Sequence, residues 1–468
     1  MKQRRRLLQP PRLLLGFAAL AAALACAPRA VRAGDLPAPP ATPAETVPPR
    51  STTAWLPERL LLGFQGTTVG QWKPSLRSPY QAANSLRPEE EGGYTISGTL
   101  YLGARPWRYT EIFVNPEAIH VDNLSGLHGL GGPSNGEAQK SGGGTATLYL
   151  ARAFVRQTIP LGGEALTLET AANQFALATR RRRLVITAGN LSILDVFDGN
   201  SVTHDPRTQF LNWALLTHGA FDFAADARGY TWGLAVECYL DAWAIRAGRF
   251  LGPKNSNGLA LDFHVFTHYG DNLEIEHAHS IHGWPGRVRL LGFRNHERMG
   301  AFADAVSAAL ASGGTPALDG VRRDQSKLGF GVAVDQSLGL DATAFLRGSW
   351  NDGRTETYSF TEIDHSLAAG ASLRGPLWRR PDDTVGAAWV MDGLSGSHRD
   401  YLAKGGLGFF IGDGQLDYRP EQIVEVYYSA LTFRGLWLTA DYQHVTNPAY
   451  NADRGPANFL GARLHVEL

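Results

Sequence analysis

Hydrophobic and polar residues alternate with a period of two along most of the chain. The clearest run is the last one, in which Leu460, Leu464 and Val466 share a face opposite Arg463 and His465. Successive side chains of a β-strand point to opposite faces, so this pattern predicts strands and not helices. The same alternation occurs in the runs 230–240, 261–269, 328–335 and 424–430.

Two architectures use strands of this kind. A soluble β-sandwich buries the apolar faces of its strands, whereas a transmembrane barrel turns them toward lipid and its polar faces toward a watery lumen. The chain holds roughly 16 to 18 segments of about ten residues, the length that spans a bilayer when tilted. They follow each other without a linker, as closure requires, because lipid cannot pair an open sheet edge. We therefore predict an all-β fold, a transmembrane antiparallel barrel of roughly 16 strands, with the soluble sandwich as the alternative.

Aromatic residues and loop composition support the barrel. Aromatics lie near the ends of predicted strands, where the interface girdles of membrane barrels belong: Trp107, Tyr109, Trp243, Trp284, Trp350, Trp378 and Trp437. Two long connections are predicted. Residues 122–144 are rich in Gly, Asn and Ser and are the best candidate to fold into the pore. Residues 295–327 contain an Ala-rich segment, Glu297 to Ser312, that predicts one short loop helix.

The amino-terminal residues predict export. Residues 1–33 carry basic residues and no acidic one, with an apolar run from Leu13 to Ala25 and small residues before Ala33. This is the pattern of a secretory signal peptide cleaved after Ala33, and a lipoprotein cut before Cys26 is the alternative. Residues 34–54 are rich in proline and predict an extended linker. The barrel domain is then 55–468, and the predicted location is the outer membrane of a Gram-negative cell.

Charge and cysteine content narrow the function classes. The chain has 44 Lys+Arg and 44 Asp+Glu, and removal of residues 1–33 would leave an acidic excess. Such a balance argues against a nucleic-acid partner. Only Cys238 would remain, so no intrachain disulfide is expected. No later run of 18 uncharged apolar residues occurs, so helical membrane spans are not expected.

The sequence offers little enzymatic chemistry. No nucleophile-elbow, phosphate-loop or His-Glu-x-x-His motif occurs. Five histidines fall within nineteen residues: His264, His268, His277, His279 and His282. Adjacent strands could bring several together as metal ligands, but a group near loops at the membrane interface is the favoured interpretation. We expect no catalytic residue, metal or cofactor; a hydrolase with Ser or Asp beside His on the barrel wall is the remaining alternative.

Acidic and basic residues recur close together, as in Glu137 with Lys140, Asp205 with Arg207, and Asp226 with Arg228. Opposed charges give a narrow pore little net field. Carboxylates and guanidinium groups can also bridge sugar hydroxyls, and aromatic rings can accept the apolar face of a sugar. This favours recognition of neutral sugars in a pore. The run 180–183 of four arginines predicts a strand start at the membrane edge.

Short motifs in a specific order extend from about Phe64 to the last residue. They include Thr99-Leu-Tyr-Leu-Gly103, Asp195-Val-Phe-Asp198, His204-Asp-Pro-Arg207, Phe210-Leu-Asn-Trp213 and Gln443-His-Val-Thr-Asn-Pro448. Each motif is weak alone, but their order and spacing together resemble the carbohydrate-selective porins of the OprB type.

This resemblance implies a barrel of roughly 16 strands that passes monosaccharides, glucose foremost, by passive diffusion through the outer membrane. It also implies a constriction lined by charged and polar side chains from the wall and from an infolded loop. By position, the candidates are Glu117, Glu137, Lys140, Arg152, Arg156, Asp205, Arg207, Asp226 and Arg228. A general or ion-selective diffusion porin is the alternative. The expected partners are small neutral sugars and outer-membrane lipid, and both a monomer and a homotrimer stay open.

Overall fold

A computed structural model describes residues 58–140, 145–360 and 362–468. The predicted signal peptide and the whole of the predicted linker, residues 34–54, lie outside the described residues. Sixteen strands form one sheet. Their bounds are β1 Leu60–Lys73, β2 Glu91–Trp107, β3 Thr110–Asp122, β4 Thr147–Leu168, β5 Leu177–Leu191, β6 Thr231–Leu240, β7 Trp243–Phe250, β8 Tyr269–Ile281, β9 Trp284–Gly300, β10 Arg322–Ser337, β11 Ala342–Asn351, β12 His365–Gly375, β13 Arg380–Gly393, β14 Glu421–Phe433, β15 Leu436–Thr446 and β16 Ala457–Glu467.

Each strand pairs with its neighbours in the chain, and the last strand closes the sheet on the first. The closing register runs from Gln65 opposite Glu467 to Trp72 opposite Leu460. Closure leaves the wall without an unpaired strand edge, which a sheet within lipid requires. The predicted all-β antiparallel barrel is confirmed. Among the described residues, no helix is long and apolar enough to cross a membrane.

The apolar face of the strands points outward. On β10, Leu328 and Phe330 are each about half exposed, whereas Lys327 and Asp335 are buried on the lumen side. The alternation of β16 follows the predicted faces, with Leu460 and Leu464 outward and Arg463 and His465 buried. A period of two therefore separates the lipid face from the lumen face, as predicted.

The two rims of the barrel differ. Connections at one rim are short, such as residues 108–109 and 434–435, whereas connections at the other run up to residues 192–230. In outer-membrane barrels the short turns face the periplasm and the long loops face outward. The predicted aromatics lie at or beside strand ends, most of them at the short-turn rim: Trp107, Tyr109, Trp243, Trp284, Trp378 and Trp437.

Two predicted elements need correction. The segment 261–269 is not a strand, because it lies in the connection 251–268 and only Tyr269 belongs to β8. Asp262 accepts the backbone N–H of His264 at 3.0 Å, a local hydrogen bond that competes with strand pairing. The strand β9 continues to Gly300, so the connection after it is shorter than predicted.

The predicted loop helix is present, but it begins later than Glu297. Three α-helices occur in the described residues: α1 Trp213–Leu216, α2 Phe302–Ser312 and α3 Gly396–Ala403. Short 3₁₀ segments are Leu124–Leu127, Ala138–Lys140, Ile193–Asp195, Asp319–Val321, Pro376–Trp378 and Pro448–Tyr450. All of these helical pieces lie in connections between strands.

The longest connection, residues 192–230, folds into the barrel, and we call it the inner loop. Its aromatic side chains pack against the inside of the wall, with Phe210 centred 4.9 Å from Tyr427 of β14 and Phe221 centred 5.1 Å from Phe293 of β9. The predicted pore segment 122–144 also enters the lumen, since its residues from Leu130 to Gln139 are buried. Both loops therefore enter the lumen, and the entry of the inner loop was not predicted.

Several charged side chains inside the wall form ion pairs. Arg289 on β9 donates to Glu276 on β8 at 2.7 Å and also to Asp335 on β10. Arg246 on β7 donates to Glu274 at 2.7 Å. A buried charge is tolerated only when it is paired and hydrogen-bonded. These pairs join β7, β8, β9 and β10 into one wall.

The packing of the inner loop predicts a large effect of one side chain. Replacing Phe210 by Ala removes a buried ring between β11 and β14 and should lower the free energy of unfolding by about 3–5 kcal/mol. Denaturant titration of the protein in detergent, followed by Trp fluorescence, measures this loss. Leu340→Ala is the matched control, because Leu340 is 85% exposed in a short turn. Equal effects of the two substitutions would contradict the packing of the inner loop.

Candidate pore constriction

A cavity of about 350 Å³ lies on one side of the lumen. Its walls come from β1, β2 and β4, from the inner loop, and from the end of the 122–144 segment. The aromatic side chains of the inner loop pack toward β7, β9, β11 and β14, which leaves this open space against the opposite strands. The open passage is therefore displaced from the barrel axis toward β1–β5.

Four charged side chains meet at the centre of this wall, and we call them the charged quartet: Glu117, Glu137, Lys140 and Arg207. Arg207 donates to Glu137 at 2.7 Å and to Glu117 at 2.8 Å. Lys140 donates to Glu137 at 2.9 Å and lies 3.4 Å from Glu117. Two carboxylates and two cations thus balance each other within hydrogen-bonding distance.

Neutral polar groups complete the shell of the quartet. Thr99 on β2 donates to Glu117 at 2.5 Å and accepts from Arg207 at 2.8 Å. Ser97 donates to Glu137 at 2.6 Å, and Tyr149 on β4 donates to Glu117. Because every member is held by several partners, the quartet is a fixed feature of the wall.

Wall side chains that bind the backbone of the inner loop hold Arg207 in position within the quartet. Arg463 of β16 donates to the carbonyl oxygens of Pro206 at 2.8 Å and of Gln209 at 2.7 Å. Glu425 of β14 accepts the backbone N–H of Asn212 at 3.0 Å. The tip of the inner loop is therefore fastened to β14 and β16, while Arg207 reaches across to β3.

The loop members of the quartet are ionised at neutral pH. Burial alone would raise the pKa of Glu137, but the Arg207 and Lys140 cations outweigh it and lower the pKa to about 2. Burial would lower the pKa of Lys140, yet Glu117 and Glu137 raise it above the ordinary value. Glu137 and Lys140 therefore carry full and opposite charges at neutral pH.

A second ion pair lies beside the quartet. Arg152 of β4 binds Asp195 of the inner loop with two hydrogen bonds of 2.7 and 2.6 Å. The guanidinium also lies 5.3 Å from the centre of the Tyr230 ring, which stands between Arg152 and Lys140. Aromatic and charged surfaces thus alternate along the cavity wall.

Arg156 sits nearer the short-turn rim. Its guanidinium lies 3.4 Å from Glu111 and donates to the carbonyl oxygen of Asn173 at 2.8 Å. The ring centre of Phe154 lies 5.2 Å from the guanidinium carbon of Arg156. Arg156 therefore lies at the end of the cavity that is nearest the short-turn rim.

Two of the three predicted acid–base pairs are wrong. Asp205 accepts the backbone N–H of Arg207 at 2.9 Å, and the guanidinium of Arg207 goes instead to the quartet. Asp226 likewise accepts the backbone N–H of Arg228 at 3.0 Å. An acid two residues before a base closes a turn on its own backbone. Only the pair of Glu137 with Lys140 is confirmed.

Arg228 has other partners, since its guanidinium donates to the carbonyl oxygen of Lys140 at 3.2 Å and lies 4.5 Å from the ring of Tyr149. Of the nine candidates, seven line the cavity: Glu137, Lys140, Arg152, Arg156, Asp205, Arg207 and Arg228. Glu117 lies buried behind Lys140 and Arg207, and Asp226 is a turn residue.

Sequence reasoning missed several members of the site. Tyr230 begins the run 230–240, whose alternation predicts a strand, but β6 begins at Thr231 and Tyr230 is buried beside Glu117. Asp195 lies in the motif Asp195-Val-Phe-Asp198, and this motif was the available signal for its role. Thr99 likewise lies in the motif Thr99-Leu-Tyr-Leu-Gly103. Gln65 carried no separate signal, because polar inward positions are common in any barrel.

The histidines do not converge. His264 and His268 both contact Asp262 in the connection 251–268, whereas His282 lies in the turn at the other end of β8. His277 packs on Trp243 at 4.3 Å between ring centres. Within the described ranges, no three His, Cys, Asp or Glu side chains are grouped as metal ligands.

The arginine run lies near the start of β5, as predicted. Arg182 points outward and pairs with Asp241, whereas Arg183 is buried and stacks on Tyr239 at 3.7 Å. Only part of the run is therefore solvated at the membrane edge.

The chain is similar to solved structures of outer-membrane proteins. The high-pH structure of OprB from Pseudomonas putida has a TM-score of 0.67 and 15% sequence identity, and covers 88% of this chain and 94% of that chain. The DcaP channel of Acinetobacter baumannii has a TM-score of 0.48 and 8% identity, covering 87% and 97%. A loop-deletion mutant of Vibrio cholerae OmpT has a TM-score of 0.45 and 11% identity, covering 88% and 100%.

No curated protein matches the chain. The model of the carbohydrate-selective porin, OprB family, matches residues 83–468, which is most of the chain. The closed sixteen-strand barrel agrees with that family. The chain therefore belongs to the OprB family of carbohydrate-selective porins, and it is a sugar-selective channel of the outer membrane.

Proposed function

We propose that this channel passes monosaccharides such as glucose by passive diffusion, and that the charged quartet is its selecting constriction. The observation that carries the proposal is the balanced charge of the quartet. Lys140 and Arg207 at the cavity surface are each held by buried carboxylates. A neutral constriction gives neither cations nor anions an advantage, so neutral solutes compete well.

The chemistry of the wall suits sugar hydroxyls. Lys140, Arg152 and Arg207 present donors, Gln65 and Asp195 present acceptors, and all five line one cavity. Vicinal hydroxyl groups of a sugar donate and accept together, so they can replace water at such a surface. Tyr101 and Tyr230 line the same cavity and offer ring surface for the apolar face of a sugar. Binding must stay weak, since a tight site would block flux.

The size of the cavity favours small solutes. At about 350 Å³ it lies at the small end of the range of about 300–1,000 Å³ for small-molecule sites. We infer that monosaccharides enter it more readily than disaccharides. Residues 1–33 direct export to the outer membrane in this proposal, and residues 34–54 link the leader to the barrel.

Single-channel recording in a planar bilayer tests the proposal. We expect stepwise addition of glucose to reduce the current in a saturable manner, and maltose or sucrose to do so less strongly, because the cavity is small. A conductance that does not respond to any sugar would favour a general or ion-selective pore. Turnover of an ester or peptide substrate, lost on replacing a single Ser or His, would favour the hydrolase alternative.

The low pKa of Glu137 predicts how block depends on pH. A carboxylate whose pKa falls from about 4.3 in an unfolded chain to about 2 in the fold stays ionised as the pH drops. Its pairs with Lys140 and Arg207 are complete above about pH 5 and are lost as the pH falls through 2. Glucose block should therefore keep its Glu137-dependent part from pH 7 to pH 4.

The control for this prediction is Glu137→Gln, which removes the titrating group with little change in shape. The difference in glucose block between wild type and variant should be constant from pH 7 to pH 4 and disappear only near pH 2. A difference that disappears with a midpoint near pH 4.5 would contradict the ion pairing of Glu137.

A further inference from the structure

The β4–β5 hairpin is longer than its neighbours. The strand β3 pairs with β4 only as far as Gln157, and β6 pairs with β5 only from Arg183. The two strands continue together beyond these points and end in residues 169–176 at the short-turn rim. We call residues 169–176 the exit turn, because the short-turn rim of such barrels faces the periplasm.

The exit turn bends back over the lumen. Its residues from Thr170 to Gln174 line the same cavity as the charged quartet. Leu61 of β1 and the last residues, Glu467 and Leu468, line this cavity as well. The periplasmic mouth is therefore bounded by the exit turn on one side and by β1 and the carboxyl end on the other. The neighbouring turns 108–109 and 241–242 each have only two residues between strands.

Several independent contacts fix the exit turn in this position. Glu111 of β3 accepts the backbone N–H of Phe175 at 2.9 Å, and Arg156 donates to the carbonyl oxygen of Asn173 at 2.8 Å. Arg105 of β2 donates to the carbonyl oxygen of Ala176 at 2.7 Å. The ring of Phe175 is buried, centred 5.7 Å from that of Phe113. Backbone, charge and ring contacts to β2 and β3 all hold the same eight residues.

We propose that the exit turn is a second constriction of the channel, at its periplasmic mouth, which limits the size of the solute that leaves. It acts in series with the charged quartet and selects by width, whereas the quartet selects by hydrogen bonding and charge. The claim that the leaving solute is a sugar rests on the proposed function. The claim that the exit turn narrows the ion path does not.

Cysteine modification tests the second claim directly. Ala172 lines the cavity and is exposed, so Ala172→Cys is made in a chain whose native Cys26 and Cys238 are replaced by Ser. A trimethylammonium-ethyl methanethiosulfonate is added on the periplasmic side. Single-channel conductance should fall by roughly half, because the narrowest section dominates the conductance of a hydrated pore.

Ala178→Cys is the matched control. Ala178 lies six residues further along the same hairpin and is exposed on the outward face of β5, so its modification should leave the conductance unchanged. Mass spectrometry confirms modification at both positions. An unchanged conductance of fully modified Ala172→Cys protein would overturn the proposal.

Two further variants test the second constriction without chemical labelling and separate it from the proposed sugar selection. Replacing residues 170–174 by Asn-Gly should shorten the turn, raise the ion conductance, and bring liposome swelling in maltose closer to swelling in glucose. Ala172→Trp should lower the conductance without any reagent. Conductance unaltered in both variants would refute the second constriction, whereas altered conductance without any sugar effect in wild type would refute only sugar selection.

Discussion

One guanidinium group, that of Arg207, joins the parts on which this channel depends. It binds Glu117 of the wall and Glu137 of the 122–144 segment at the same time. A charge with so little exposed surface must be paired, because the loss of hydration is otherwise too costly. The inner loop, the 122–144 segment and β3 therefore cannot move apart without leaving a buried charge unpaired. The position of the open passage follows from this constraint.

The same constraint explains why the passage is eccentric. The aromatic side chains of the inner loop fill the space in front of β7, β9, β11 and β14, while its charged tip crosses to β3. Apolar packing of the inner loop thus closes part of the lumen, and the charged quartet lines the passage that stays open. The pore keeps donors and acceptors at its surface because the counter-charges lie behind them. In the proposed function, sugar selection follows from this polar surface of the open passage.

Much of the wall could be predicted from the sequence, because the period of two is imposed by lipid on one face and by the lumen on the other. The inner loop could not, because Phe210, Trp213 and Phe221 are apolar in a loop that packs inside the barrel and give no periodic signal. Closeness in the sequence also gave wrong ion pairs. Asp205 and Asp226 do not pair with the arginines two residues later, because they accept hydrogen bonds from the backbone of their own turns. Glu117 and Arg207 are ninety residues apart, and only the fold brings them together.

The central claim is that Arg207 and Glu117 act as one unit in sugar binding. A double-mutant cycle with Arg207→Met and Glu117→Gln, read out as the concentration of glucose for half-maximal block, tests it most directly. Asp241→Asn serves as the control, because Asp241 lies in the turn between β6 and β7, outside the cavity, and pairs with Arg182. We expect each single substitution to weaken glucose block and the double variant to be no weaker than either single one, because groups that act together are not additive. Losses that multiply in the double variant would contradict it.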